Sequence, residues 1–204
     1  MTMAQSSVFS RWALAMAWVV AAGGLLGCAD DKPAFRGVDI TGADYAQGWV
    51  LSDQEGQVRT LKDFAGKVVV VFFGFTQCPD VCPTALQEIA EAKQLLGADG
   101  ARLQGIFITV DPERDTPELL KAYVANFGSD FVALRPTLEQ LPKVTKDFKI
   151  YYKKVEGKTP TSYTMDHSAG SFTFDPQGRV RLYNRHASGA ATLAADVKIL
   201  LKGQ

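Results

Sequence analysis

Three cysteines and two histidines are all that 204 residues contain. That scarcity excludes a disulfide-stapled scaffold, which spends cysteine freely on a small core. Charge is equally unspent. Lys+Arg and Asp+Glu both count 22, for a net charge of +0, so no basic face announces nucleic acid as a partner. Internal repeats and low-complexity tracts are absent. The apolar run Trp12 to Leu26 (WALAMAWVVAAGGLL) falls short of the roughly 20 residues a membrane-spanning helix needs. What remains is a chain with 47% hydrophobic residues, enough for one domain with an ordinary core.

The apolar run follows Arg11, the one charge among residues 1–27. It ends Leu25-Leu26-Gly27-Cys28, which resembles a bacterial lipobox. That resemblance implies cleavage before Cys28, a diacylglycerol on its sulfur, and a mature chain facing the periplasm. Residues 1–27 are therefore expected to be a lipoprotein signal peptide. Residues 28–44, polar and without period, are expected to be a lipid-anchored tether. At about 3.3 Å per residue it would let the domain stand roughly 50 Å off a bilayer. Residues 45–204 are expected to be the folded domain.

Within that domain the patterning switches between periods. Trp49 and Leu51 alternate with polar neighbours, Gln54-Glu55-Gly56-Gln57 signals a turn, and Val58 to Leu61 returns, which predicts a hairpin. Val68 to Phe75 has seven apolar residues in eight and predicts a strand buried on both faces. Leu86, Ile89, Lys93 and Leu96 trace a helical stripe that stops at Gly97. Leu103 to Val110 predicts a second buried strand. Thr116, Pro117 and Glu118 read as cap, first position and first turn of a helix whose apolar face is Leu119, Leu120, Tyr123, Val124 and Phe127. A short helix is expected over 138–148 and a strand over 150–155. A hairpin is expected around Asp175-Pro176-Gln177-Gly178, and a last helix over 190–201. Order of elements fits α/β with a central mixed sheet, a thioredoxin-like fold with an N-terminal β-hairpin extension.

Chemistry concentrates in Val68 to Pro83, VVVVFFGFTQCPDVCP. A buried strand delivers Cys78 and Cys82 to a helix start, where unpaired amides and the helix dipole favour thiolate. Three readings are open: an inert local disulfide, a thiol exchanger and a soft metal site. A disulfide here would close a tiny loop and add little stability. Three residues, not two, separate the sulfurs, which leaves room for both to point at one ion. Asp80 between them opposes a reactive thiolate yet suits a site that holds a cation.

A candidate third ligand lies far downstream, although a lone histidine is more often a core or surface residue. In a thioredoxin-like topology, the loop opposite the cysteines precedes the strand read at Phe172-Thr173-Phe174. His167 lies two residues before Ala169 in that loop and can face both sulfurs. Two thiolates and one imidazole form a soft, three-ligand set that suits Cu(I), while Cu(II) needs an added oxygen donor. Asp166 is a candidate to orient His167 as its outer partner. Met165 reads as core and His186 as surface.

GFTQCPDVCP, VDPERDTPE and YTMDHSAGSFTFDPQG, with DITGADY and LKDFAGK before them, resemble the Sco (SenC) proteins. The resemblance covers the chain from about Val38 onward. It implies a thioredoxin-fold copper chaperone that binds one copper ion at Cys78, Cys82 and His167. It implies delivery to the dinuclear copper centre in the copper-binding subunit of cytochrome c oxidase. It also implies other periplasmic copper carriers or thiol reductants as candidate further partners. Asp111 matches a family acid near the site, and Gln77 stands where many members carry His. The alternative is a thiol–disulfide oxidoreductase that reduces the acceptor's cysteines before metallation. A peroxidase, suggested only by Thr76 two residues before Cys78, lacks a supporting proline upstream.

Overall fold

The computed structural model describes residues 34–159 and 162–203. The expected signal peptide and Cys28 lie outside the described residues. In chain order the strands are β1 (Val38–Asp39), β2 (Val50–Asp53), β3 (Val58–Thr60), β4 (Val68–Gly74), β5 (Leu103–Thr109), β6 (Val132–Arg135), β7 (Tyr152–Glu156), β8 (Tyr163–His167), β9 (Ser171–Phe174) and β10 (Val180–Asn184). The helices are α1 (Val81–Leu95), α2 (Pro117–Ala125), α3 (Leu141–Asp147) and α4 (Ala190–Leu201). None of the described helices is long and apolar enough to cross a membrane.

Every residue of β4 and β5 is buried, so neither alternates between a core and a solvent face; β4 is apolar throughout but for Gly74, while β5 also buries Gln104 and Thr109. They pair in parallel, β6 adds in parallel beside β5, and β9 runs antiparallel on the other side of β4. The full order is β1-β10-β9-β4-β5-β6-β2-β3, a mixed sheet of thioredoxin-like type as expected. Neighbouring side chains on β4 face opposite ways. Phe72 meets Phe107 at 6.5 Å between ring centroids, while Phe73 meets Phe148 at 4.9 Å. Helix α1 packs on α4 and on β4 and β5.

The punctuation falls where its chemistry requires. The Thr116 hydroxyl accepts from the Leu119 amide at 3.3 Å, with Pro117 at the first position of α2. Gly97, at φ 58°, ends α1 and begins a 3-10 turn over Gly97–Arg102. Two turns share one design. Asp53 and Asp175 each accept from the amides two and four residues on, and each takes an arginine Nε, from Arg59 and Arg179.

Four features differ from the sequence reading. Residues assigned there to the end of the tether are attached to the body. The amides of Arg36 and Gly37 donate to buried Asp196, both at 2.8 Å, and β1 pairs with β10. The β2–β3 hairpin is continuous with the main sheet through β6, a four-residue strand too short to stand out in the sequence. Leu119, expected on the buried face of α2, is 48% exposed. The strand expected over 150–155 pairs with β8 in a separate two-stranded sheet.

Candidate metal centre

The centre begins at the carboxyl end of β4. Gly74 closes that strand, and a Cβ there would meet Cys82 Sγ at 2.6 Å and Phe107 at 2.8 Å. Glycine is what allows the sulfur to settle over the strand end. The chain then turns, with the Cys78 amide donating to the Phe75 carbonyl at 3.2 Å, and enters α1 with Cys82 in its first turn. The Cys82 amide donates to Cys78 Sγ at 3.4 Å. Both cysteines are free thiols, Cys78 half-buried and Cys82 buried.

Burial and hydrogen bonding divide the two sulfurs. The Cys82 thiol donating to Cys78 holds the Cys78 thiol down at about 5, aided by the Asp80 and Cys82 amides, against burial. Cys82 is pushed up by the same contact and by its burial. At neutral pH the pair therefore holds one proton, on Cys82, and one thiolate at Cys78.

His167 reaches the sulfurs from the last position of β8. Its Nδ1 lies 2.9 Å from the Ser168 carbonyl, which can only accept, so Nδ1 carries the proton. Nε2 then presents its lone pair, 3.4 Å from Cys82 Sγ. Phe72 and Phe75 wall the imidazole edge-on, with ring centroids at 6.0 and 5.9 Å. One donor atom from each of Cys78, Cys82 and His167 lies within 4.8 Å of the others. The set fits a soft cation. It has one thiolate already formed, a second sulfur needing to lose only one proton, and a nitrogen lone pair fixed by its ring partner.

The expected outer residues sit elsewhere. Asp80 is exposed; its backbone amide serves Cys78, while its carboxylate lies 3.5 Å from the Thr84 hydroxyl. Asp166 is exposed on β8, and the imidazole's partner is the Ser168 carbonyl. Asp111 is buried, ion-paired to Arg114 Nε and accepting from the Tyr163 hydroxyl at 2.9 Å. Met165 lies in the core and His186 is exposed.

Asp115 was not singled out from sequence. It is fully buried and accepts from Thr76 at both amide (3.1 Å) and hydroxyl (2.6 Å), and from the Thr109 hydroxyl. Burial raises its pKa. Its carboxylate thus fixes the backbone two residues before Cys78. In VDPERDTPE it looks like one more loop acid beside a helix cap, and nothing local marks its burial.

Comparison with known proteins agrees with this geometry. The SCO1/SenC family model matches residues 38–202. The chain belongs to the SCO1/SenC family. A SCO2-like protein of Rickettsia prowazekii is 38% identical over 137 residues, which are 67% of this chain and 65% of that protein. This chain thus spans just under two thirds of that relative's length. The structure of Bradyrhizobium japonicum ScoI with copper bound is 37% identical, with TM-score 0.68, covering 82% of this chain and 99% of that one. A SCO1/SenC family lipoprotein from Bacillus anthracis is 26% identical, with TM-score 0.68 over 82% of this chain and 99% of that one.

Proposed function

We propose that this domain takes up one copper ion through Cys78 Sγ, Cys82 Sγ and His167 Nε2. It then passes the ion to the dinuclear copper centre of cytochrome c oxidase. The observation that carries the reading is the convergence of three soft donors within 4.8 Å, drawn from segments 85 residues apart in sequence. Copper is cargo here. Cys78 receives the ion, because its thiolate is formed and half-exposed. Cys82 releases a proton as it binds, and His167 completes the set. A three-ligand shell leaves a position open for an acceptor's thiolate or imidazole, so transfer proceeds by ligand exchange. Cys28, as a lipidated residue, would hold the domain on the periplasmic side of a bacterial membrane, a reading supported by the related Bacillus anthracis lipoprotein.

The test is metal analysis of the reduced domain with His167→Ala beside it. One copper per wild-type chain and a large loss of affinity in the variant are expected. Undiminished affinity in His167→Ala would sink the three-ligand reading.

The asymmetry of the sulfurs favours a second reading, thiol–disulfide exchange. Cys78 thiolate attacks one sulfur of an acceptor disulfide and expels the other as thiolate. Cys82 loses its proton, attacks Cys78 in the mixed disulfide, and releases the second acceptor thiolate. The pair supplies two electrons and ends as a Cys78–Cys82 disulfide. His167→Ala should keep this activity and Cys78→Ser should abolish it, which separates the two readings.

A further inference from the structure

We propose that Arg114 is a positioning residue that clamps the β7–β8 hairpin so that His167 stands within reach of Cys82. The proposal rests on the reading of His167 as a copper ligand. The hairpin is a sheet of two strands with no ladder to the main sheet, and such a pair is marginal by itself. Its seat must come from side chains. Tyr163, Met165 and His167 alternate along β8 and so share a face. Met165 is buried in the core, an apolar contact without directional preference. Tyr163, at the far end, is the directional tie.

One guanidinium makes most of that tie, beside the exposed Lys154–Glu113 pair at 3.8 Å and Lys154 Nζ at 4.0 Å from the Tyr163 ring centroid. Arg114 Nε pairs with Asp111, and Nη1 donates to the Tyr163 carbonyl at 2.8 Å and to Gln77 Oε1 at 3.0 Å. Its Cζ lies 3.5 Å from the Tyr163 ring centroid and 5.8 Å from that of Phe75. The Tyr163 hydroxyl returns to Asp111. The loop after β5, the cysteine loop and the histidine strand thus meet at one side chain, which touches neither sulfur nor imidazole by any bond described above. A planar fork is what makes three directed contacts and one stacking face at once, and an ammonium cannot reproduce them.

The experiment compares Arg114→Ala and Arg114→Lys in wild-type and His167→Ala backgrounds. Cu(I) affinity is read by competition with a chromophoric chelator. Amide hydrogen exchange is read on the reduced, metal-free protein. Each variant is expected to weaken Cu(I) binding about tenfold in the wild-type background, the scale of a lost outer partner. In the His167→Ala background the change should be less than about twofold, because the clamp acts only through the imidazole. Hairpin amides at 152–156 and 163–167 should exchange faster while those of β4 and β5 do not. Equal losses in both backgrounds, no loss in wild type, or faster exchange throughout β4 and β5 would overturn the clamp. Unchanged affinity in His167→Ala alone would instead overturn the ligand reading, and hairpin exchange would then decide the clamp by itself.

Discussion

The two halves of the metal centre are built to different standards. The cysteines stand where a fully buried parallel strand meets a helix, and the main sheet fixes them on both sides. The histidine stands on a two-stranded sheet held by side chains: buried Met165, half-buried Tyr152 and Tyr163, Arg114 and an exposed Lys154–Glu113 pair. On the proposed carrier reading both properties are useful. The rigid half would keep two sulfurs together through loading and release. The separately seated half would let the third ligand come and go without unfolding the core. Copper affinity should then answer to changes on either half, but only changes on the rigid half should alter sulfur chemistry.

The largest expected effect comes from the rigid half. Cys78→Ser or Cys82→Ser should remove stoichiometric copper binding, a loss beyond the roughly hundredfold that an outer partner costs at most. Equilibrium dialysis of the reduced proteins measures it. Retention of one tightly held ion by either variant would break the picture of two indispensable sulfurs. His167→Ala should fall between the serine variants and the Arg114 variants.

The sulfurs also set a pH signature that the histidine half should barely touch. The folded-state pKa of Cys78 is depressed to about 5 from an ordinary value near 8.5 to 9. The thiolate is therefore present above that value and lost as pH falls through it. Alkylation of the reduced, metal-free protein should run at full rate at pH 7 and decline with a midpoint near 5. Mass spectrometry should place the label on Cys78 before Cys82, whose thiol is buried and pushed upward. Cys82→Ala removes the donating thiol, so its midpoint should move upward. A wild-type midpoint near 8.5 would mean that the helix start and Cys82 do not stabilise the thiolate.

Gly74→Ala sharpens the comparison further. Its Cβ would need the space of Cys82 Sγ and the edge of Phe107. Overpacking of this kind costs about 1–3 kcal/mol, read as a lower denaturation midpoint. It should displace Cys82 as well, so copper affinity and the alkylation midpoint should change together. A stability loss with both left intact would show that the sulfur has room to retreat.

The same contrast explains what the sequence discloses. Cys78, Cys82 and the helix start lie within a few residues of one another, so their relation follows from local rules about strand ends, proline and helix dipoles. The buried runs of β4 and β5 and the Thr116–Pro117 start of α2 are legible for the same reason. His167 is readable only through topology and family likeness. Even then it was expected in a loop and is found at the end of β8. The strand over 150–155 was expected although β7 shows no clean alternation, but β8 was read as the loop before β9 even though Tyr163, Met165 and His167 alternate with exposed Thr164 and Asp166. Asp115 and Arg114 were invisible because their importance lies in burial and in partners 37 to 49 residues away. Asp166 looked plausible because sequence adjacency suggests contact, whereas a strand sends neighbours to opposite faces.

The smallest effect should come from a site far from both halves. Asp53→Asn keeps an oxygen for the amides of Glu55 and Gln57 but loses the ion pair with Arg59, whose side chain is 37% exposed. Solvent screening limits that loss to about 1 kcal/mol or less. The twin turn is the stricter case. Asp175 pairs with Arg179 and with Arg181, whose side chain is only 10% exposed, so Asp175→Asn leaves a nearly buried guanidinium short of its charge partner. It should destabilise more than Asp53→Asn in chemical denaturation, although the two turns share their amide bonds. Neither change should alter copper affinity or the Cys78 midpoint, because the Asp53 turn lies at the β2–β3 edge of the sheet and the Asp175 turn precedes β10. A shift in either readout from Asp53→Asn would mean that the edge of the sheet communicates with the sulfurs, and the division into a rigid half and a separately seated half would have to be redrawn.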